Sequence, residues 1–239
     1  MKTLALIPAR GGSKGIPNKN LQIIGNKSLV SRAIESAVRA DIFDEICVST
    51  DSKEVAEEVQ RDGLRIPFFR PKELSLDTTL GIDVVKHAIN YYKSIDMNFE
   101  TVVILQPTSP FRTFQNVQIA HKIFASSSCQ SLISVLDVTN FHSSTLYSRA
   151  NQNEGLSSIE LGLFDRNFEN SSGTLRQQFP KTYWRNGAIY ILKTCNLLDS
   201  VVLLREPIFG YVMPWIQSIN IDTHEDLSIA KLLAENLSL

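Results

Sequence analysis

Residues 7–20, IPARGGSKGIPNKN, combine cationic side chains with glycines and prolines and contain no acidic residue. Consecutive glycines let backbone N–H groups converge on an anion. Arg10, Lys14 and Lys19 add charge-assisted donors, and Pro17 stiffens the return of the loop. A triphosphate would use this density of donors, whereas a single carboxylate would not need it. We therefore predict a polyphosphate-binding loop; the alternative is a solvated basic loop.

The loop does not match the two standard phosphate fingerprints. GxxxxGK[ST] is absent, and Ser13 stands where GxGxxG needs a glycine. The prediction therefore depends on charge and backbone chemistry. Residues 1–34 carry six basic side chains and no acid, although the whole chain has a net charge of -1. The total charge gives no reason to expect nucleic acid or an anionic membrane as a partner.

The composition is that of an ordinary globular protein. The chain has 239 residues, 43% of them hydrophobic, and no apolar run approaches a membrane span. Cys47, Cys129 and Cys195 are far apart and odd in number, which argues against a zinc site or a disulfide framework. Cys47 is expected in the core. A reducing cytoplasm is the expected location.

Strand-like and helix-like segments alternate along the first half of the chain. Strands are predicted at 3–8, 45–50, 65–70, 101–110, 131–136, 186–192 and 218–222. Helices are predicted at 28–41, 51–63, 78–95, 113–126 and from Thr223, which is spaced with Asp226 as a capping pair. This pattern predicts an α/β fold with a mostly parallel central sheet and helices on both faces. Ligands bind at the carboxyl ends of such strands, where IPARGGSKG, STD and LQPTSP lie.

Residues 137–183 differ from the rest of the chain. They are rich in Ser and Asn and lack long apolar runs. We predict one domain over 1–239 with a β-rich excursion at 137–183, which is an arm, a lid or an oligomer contact.

The stretch IPARGGSKGIPNKNL resembles the N-terminal signature of the acylneuraminate cytidylyltransferases, the CMP-sialic acid synthetases and their relatives. Further stretches of this family's pattern follow in order: VSTDSKEVAE (48–57), RPKELSLDTT (70–79), LQPTSPFRT (105–113), RQQFP…NGAIYI (176–191) and SINIDTHEDL (218–227). The resemblance covers essentially the whole chain. It implies a Rossmann-like fold of the nucleotide-diphospho-sugar transferase type.

The resemblance also implies a reaction. Members of this family join a nonulosonic acid to CMP, using CTP and a divalent cation, and release pyrophosphate. The anomeric hydroxyl of the sugar attacks the α-phosphorus, a step that needs alignment and charge stabilisation from the protein. Members tend to dimerise through an excursion like 137–183, so a homodimer is expected.

The resemblance assigns one group of residues to the nucleotide. The triphosphate would be held by Arg10, Ser13, Lys14 and Lys19. Lys19 would lie near the α-phosphate and Lys14 nearer the leaving pyrophosphate. Asn20 and Arg70 would face the cytidine.

A second group is assigned to the sugar acid and the metal. Gln106 would face the sugar acid, and Arg176 with Gln177 and Gln178 would reach its carboxylate and polar substituents. Magnesium prefers carboxylates and water, so Asp222 is the expected ligand of Mg²⁺ or Mn²⁺, with Asn220 beside it. Lys19, Arg10 and Asp222 are the expected catalytic groups. The alternative for Asp222 is that it only caps the last helix.

Four positions depart from the family pattern. Asn220 replaces an aspartate, Trp184 stands where an arginine is frequent, His142 opens a stretch that lacks a lysine, and Gly81 replaces a serine near the base. Most of these changes touch the sugar or metal side, while the triphosphate loop is intact. The sugar therefore stays open among N-acetylneuraminic, legionaminic and pseudaminic acids.

Three alternatives remain from the sequence. One is a nucleotidyltransferase for another sugar acid such as KDO or for a sugar phosphate. Another, suggested by Asn220, is a CTP-binding subunit with weak or no catalysis. The third is a scaffold whose excursion at 137–183 mediates assembly. Arg112 is interpreted as a structural residue that holds the turn after residues 101–110, with substrate contact as the alternative.

Overall fold

The computed structural model describes residues 1–139, 146–149, 161–163 and 180–237. The strands in these ranges are β1 (Thr3–Pro8), β2 (Ile23–Ile24), β3 (Lys27–Ser28), β4 (Glu45–Ser49), β5 (Thr101–Leu105), β6 (Ser131–Asp137), β7 (Tyr147–Arg149), β8 (Leu161–Leu163), β9 (Tyr183–Lys193) and β10 (Ile208–Val212). The α-helices there are α1 (Leu29–Ala40), α2 (Lys53–Arg61), α3 (Gly81–Ser94), α4 (Phe114–Ala125) and α5 (His224–Asn236). Within those ranges, no helix is long and apolar enough to cross a membrane.

The main sheet of the described chain has six strands in the order β10-β6-β9-β5-β1-β4. Strand β1 runs parallel to both β4 and β5, and β6 runs parallel to β10. Strand β9 is antiparallel to β5. The mostly parallel sheet predicted from the sequence is confirmed, with β9 reversed.

The sheet is buried on both faces, as continuous apolar strands require. Ala5 and Ile7 of β1 belong to a cluster with residues of α1, α2 and α4, whereas Leu4 and Leu6 belong to a cluster with residues of α3. Successive side chains of a strand point to opposite faces, so the helices cover both faces. Cys47 is fully buried, as predicted.

Polar caps fix where the helices begin. Ser28 accepts a hydrogen bond from the backbone N–H of Ser31 at the start of α1. Thr223 and Asp226 form a reciprocal capping box at the start of α5, which confirms the predicted pair. A cap of this kind contributes about 1 kcal/mol to helix stability.

Two strand predictions were wrong, and one strand was missed. Residues 65–70 make only an isolated bridge between Thr50 and Phe69, because Pro67 interrupts the run and cannot donate to a ladder. Residues 218–222 form no strand; a 3-10 turn at Ile216–Ser218 precedes irregular backbone. Strand β10 escaped prediction because its run is short, largely exposed and interrupted by Gly210.

The chain divides into two compact units, Met1–Val135 with Arg185–Leu239, and Leu136–Trp184. The second unit contains the antiparallel pair of β7 and β8. Within it, the backbone N–H of Val138 donates to the carbonyl of Thr182 at 2.8 Å. Its role as an arm or lid stays a prediction.

Candidate active site

A polar cavity of about 330 Å³ opens at the carboxyl ends of β1 and β5. Most of the residues that the sequence singled out line this one cavity: Arg10, Ser13, Lys19, Asn20, Arg70 and Gln106. Thr79 and Gly81 complete the wall near the start of α3. The fold thus brings together residues from four separate segments of the chain. Arg176 and Gln178 lie outside the described residues.

Two side chains hold the basic loop in place through hydrogen bonds to its backbone. The N–H of Gly11 donates to Oδ1 of Asp51 at 2.8 Å, and Nδ2 of Asn20 donates to the carbonyl of Arg10 at 2.8 Å. A Cβ at Gly11 would lie 2.8 Å from Cβ of Ser52, closer than any side chain tolerates. Glycine is therefore required where the loop crosses the start of α2, and Asn20 is nearly buried beneath it.

Asp77 binds two of the loop's cations. Its Oδ1 lies 2.5 Å from Nη2 of Arg10, and its Oδ2 lies 2.8 Å from Nζ of Lys14. The Lys14 ammonium and then the Arg10 guanidinium lower the pKa of Asp77. Lys14 does not line the cavity and its side chain is 86% exposed. The sequence reasoning missed Asp77, although the acid stands in the stretch RPKELSLDTT.

Lys19 reaches across the site to Asp222. Its Nζ lies 2.8 Å from Oδ1 of Asp222, and the lysine side chain is only 14% exposed. Gly15 also lies close to this segment: a Cβ there would be 3.2 Å from the carbonyl oxygen of Asp222, so a side chain would fit only after a shift of a few tenths of an ångström. The loop and the segment before α5 are thus in direct contact.

Asp222 does not cap α5 with its side chain. The capping contacts are made by Thr223 and Asp226. Oδ2 of Asp226 also accepts the backbone N–H groups of Asp222 and Thr223, at 3.0 and 2.8 Å. The helix start therefore fixes the backbone of Asp222 and leaves its carboxylate to face Lys19 and Asn220. The interpretation of Asp222 as a helix cap was wrong in this respect.

The donor set next to Lys19 fits a small, hard cation. Nδ2 of Asn220 donates to Oδ2 of Asp222, and Oδ1 of Asn220 is buried without a hydrogen-bond partner among the described residues. A carboxylate and an amide oxygen are ligands of the kind that Mg²⁺ accepts. In the described ranges, no three acidic, His or Cys side chains cluster as a metal site. Phosphates and water would therefore have to supply the remaining ligands.

Arg70 is fixed at the end of β4. Its Nε donates to Oγ of Ser49 at 3.0 Å and its Nη2 to the Ser49 carbonyl at 2.5 Å. Burial lowers the pKa of Arg70 to about 10, so the side chain stays charged at neutral pH. A buried guanidinium held in this way forms a rigid, cationic wall of the cavity.

Arg112 connects the end of β5 to the middle of β9. Its Nη1 donates to the carbonyls of Gln106 and Ala188 at 2.8 and 2.9 Å, and its Nε donates to Oγ of Ser36 at 3.3 Å. Burial lowers the pKa of Arg112 to about 9. These contacts support the structural interpretation of Arg112, and they fix the backbone of Gln106 at the cavity wall.

A smaller cavity of about 170 Å³ adjoins the first through Pro8, Gly81 and Gln106. Its other walls are mainly apolar, with Arg185 and Tyr190 as polar members. Cζ of Arg185 lies 5.9 Å from the centre of the Tyr190 ring. The sequence reasoning did not select Tyr190, because a single tyrosine in the apolar run NGAIYI gives no signal of its own.

A larger cavity, about 770 Å³, lies elsewhere among the described residues and contains none of the predicted site residues. It is lined by α1, the turn after β5 and the segment after β10, with Phe111, Phe114 and Trp215 among its walls. Size alone would favour this cavity, whereas the cations of the loop and the ends of β1 and β5 meet at the smaller polar one.

A mostly parallel α/β sheet with a cationic loop and a polar cavity at its strand ends is the arrangement of a nucleotidyltransferase. A family model described as cytidylyltransferase matches residues 4–236, and the chain belongs to that family. The family predicted from the sequence motifs is confirmed.

Curated relatives cover nearly the whole chain. The CMP-N,N'-diacetyllegionaminic acid synthase of Legionella pneumophila is 30% identical over 98% of this chain and 97% of its own length. The pseudaminic acid cytidylyltransferase of Campylobacter jejuni is 30% identical over 98% of this chain and 96% of its own length. The N-acylneuraminate cytidylyltransferase of Escherichia coli is also 30% identical over 96% of this chain, which matches 51% of that longer protein.

Solved structures agree on the fold. A CMP:2-keto-3-deoxy-manno-octonic acid synthetase complexed with CTP has a TM-score of 0.68 at 17% identity, over 99% of this chain and 100% of that one. A 4-diphosphocytidyl-2C-methyl-D-erythritol synthase has a TM-score of 0.64 at 12% identity, over 97% of both chains. At these identities the likeness establishes the shared fold alone.

Proposed function

We propose that this protein is a CMP-nonulosonate synthetase. It transfers the CMP group of CTP to the anomeric hydroxyl of a nonulosonic acid and releases pyrophosphate. The observation that carries the proposal is the cavity that collects Arg10, Ser13, Lys19, Asn20, Arg70 and Gln106 at the strand ends. The names of the relatives, which act on legionaminic, pseudaminic and N-acylneuraminic acids, support the class of acceptor.

The reaction makes one bond and breaks one bond at phosphorus. The anomeric hydroxyl gives up its proton to water as its oxygen bonds to the α-phosphorus. The bond from that phosphorus to the bridging oxygen breaks, and the electron pair leaves with pyrophosphate. Lys19 lies next to Asp222 at the wall of the cavity, where its ammonium would face the α-phosphate. Arg10 and Lys14 would stabilise the charge that builds up on the pyrophosphate.

The cytidine and the acid would bind to opposite sides of the triphosphate. Arg70 and Asn20 would face the cytidine, where Arg70 is immobilised by Ser49. Gln106 would face the acid, assisted by Arg176 and Gln178 from outside the described residues. The sugar acid is legionaminic, pseudaminic or N-acetylneuraminic acid, and the departures from the family pattern at Trp184 and His142 would bear on its recognition.

Asp222 and Asn220 would hold Mg²⁺ or Mn²⁺, which supplies positive charge to the triphosphate oxygens when it is bound. Lys19 keeps the Asp222 carboxylate in place. The proposal also includes a homodimer formed through residues 137–183 and a cytoplasmic location, where CTP is available.

The test is a crossed assay of pyrophosphate release. The four ribonucleoside triphosphates are combined with N-acetylneuraminate, legionaminate, pseudaminate and KDO, each with and without magnesium or manganese. Release that requires CTP and one nonulosonate supports the proposal. Release with KDO alone would identify another acceptor class. CTP binding without release, for every acid and both metals, would favour a non-catalytic CTP-binding subunit.

A further inference from the structure

The phosphate loop of this protein already holds an anion that belongs to the chain. Each carboxylate oxygen of Asp77 contacts one loop cation, Arg10 Nη2 at 2.5 Å and Lys14 Nζ at 2.8 Å. The other acids at this loop have different partners. Asp51 accepts the backbone N–H of Gly11, and Asp222 contacts Lys19. Asp77 therefore holds the two cations that the proposed function assigns to the β- and γ-phosphates.

The segment that carries Asp77 is suited to move. It runs over 71–80, between the buried Arg70 and the start of α3, and Leu76 and Leu80 are 58% and 60% exposed. Its hydrogen bonds and ion pairs with the loop are the two Asp77 ion pairs and a 3.4 Å hydrogen bond from Nη1 of Arg10 to the Ser75 carbonyl. Few buried contacts mean that such a segment opens at low cost.

We propose that Asp77 is a positioning residue that acts as an internal counter-anion. It holds Arg10 and Lys14 together in the free protein and is displaced when the phosphates of CTP take its place. The inference rests on the proposed function, since it requires a triphosphate at this loop. It concerns the contacts of Arg10 and Lys14 before CTP binds and the replacement of Asp77 by phosphate, neither of which the proposed reaction specifies.

Charge decides the direction of the exchange. A carboxylate between the two cations and a polyphosphate on the same cations would repel each other, so both cannot stay. The Asp77 pairs are solvent-exposed and weak, whereas a phosphate chain offers more charge and more acceptor oxygens. After transfer, Asp77 competes with pyrophosphate for the same cations and thereby speeds its release.

The experiment measures binding of inorganic pyrophosphate and of CTP by calorimetry, at one fixed magnesium concentration. The variant is Asp77→Asn. The matched control is Glu73→Gln, which makes the same change in charge on the same segment, and Glu73 has no ion pair among the described residues. Pyrophosphate tests the exchange without any contact to the base or the sugar acid.

Asp77→Asn is expected to lower the Kd of pyrophosphate about three- to tenfold, because two exposed ion pairs no longer oppose binding. Glu73→Gln should change it less than twofold. In a Lys14→Ala background the gain from Asp77→Asn should shrink, since only the Arg10 pair is then lost. In the full reaction, Asp77→Asn should lower the KM for CTP and strengthen inhibition by pyrophosphate.

Three outcomes would overturn the inference, and they distinguish its failure from that of the proposed function. If the wild-type protein binds CTP and Asp77→Asn binds pyrophosphate equally or more weakly, Asp77 only supports the segment and the inference is wrong. Equal gains in Asp77→Asn and Glu73→Gln would also overturn it, as a general charge effect. If the wild-type protein binds neither CTP nor pyrophosphate, the proposed function fails and the inference fails with it.

Discussion

Lys19 and Asp222 meet at the candidate site although 203 positions separate them in the sequence. The ammonium nitrogen of Lys19 lies 2.8 Å from Oδ1 of Asp222, and the lysine is far more buried than the aspartate. The pair joins the phosphate loop after β1 to the segment that precedes α5. Lys19, which is proposed to face the α-phosphate, is thereby held beside Asp222, the proposed metal ligand.

Lys19→Ala is expected to reduce kcat/KM for CTP about 100- to 1,000-fold, the usual loss when one preorganised donor to a developing charge is removed. Initial rates of pyrophosphate release measure this. The control is Lys27→Ala, which removes an exposed lysine paired with Glu35 at 3.1 Å, away from the cavity. Near-normal kcat/KM in Lys19→Ala would contradict the placement of Lys19 beside the α-phosphate.

Asn220→Asp is expected to preserve activity and to lower the magnesium concentration needed for half-maximal rate. The amide becomes a second carboxylate beside Asp222, and a doubly charged ligand set binds a divalent cation more tightly. Magnesium titrations of the initial rate test this, with Asp222→Asn as the opposite change that should weaken the metal response. Loss of activity in Asn220→Asp would assign Asn220 a role other than metal binding.

Arg112→Met is expected to destabilise the protein by about 3 kcal/mol, because buried carbonyl groups lose a charged donor. The affected acceptors are the carbonyls of Gln106 and Ala188. Urea unfolding measures the change. Arg39→Met is the control, since Arg39 is largely exposed and stacks 4.3 Å from the Phe114 ring.

The same Arg112→Met variant should raise the KM for the sugar acid more than that for CTP, because Gln106 lies on the proposed acid side. A loss of stability no larger than that of Arg39→Met would show that Arg112 does not hold the end of β5 to β9.

Asp226 gives the start of α5 a pH dependence. Burial raises the pKa of Asp226, but the N–H groups of Thr223 and Asp222, the Thr223 hydroxyl and nearby Lys19 together lower it below the ordinary 3.8. A carboxyl with a lowered folded pKa stabilises the folded state above the unfolded pKa. That stabilisation is lost as the pH falls from about 4 through the folded pKa.

The free energy of unfolding should therefore fall more steeply between pH 5 and pH 2 in the wild type than in Asp226→Asn, by about 1 kcal/mol. Urea unfolding at several pH values provides the comparison. Parallel curves would mean that Asp226 does not stabilise the start of α5 through its charge.

Much of the fold could be predicted from the sequence because local patterns and tertiary packing agree. Strand β1 has the predicted bounds, Thr3–Pro8, and α1 begins after the predicted polar residue Ser28. The errors arose where single residues decide the outcome. Pro67 cannot donate a hydrogen bond to a β-ladder in 65–70. Gly210 interrupts the apolar pattern of β10, a largely exposed strand, so the sequence pattern does not indicate a strand there.

Only the part of the candidate site that lies in recognisable sequence motifs could be predicted. Arg10 and Gln106 come together because they follow the ends of the neighbouring parallel strands β1 and β5. Lys19 belongs to the loop after β1, and Arg70 is held at the end of β4 by Ser49. Asp77 could not be predicted, because its importance comes from contacts with Arg10 and Lys14 across the loop and not from its neighbours in sequence. The residues on the proposed sugar side were the hardest to predict, because several of them differ from the family pattern.

Cytidylyl transfer is tested most directly by phosphorus NMR of a reaction with CTP, magnesium and the accepted nonulosonate. The three phosphorus signals of CTP are expected to give way to one phosphodiester signal of a CMP-sugar and an equal molar amount of pyrophosphate. Conversion of CTP to free CMP or CDP without a phosphodiester signal would contradict transfer to the sugar acid.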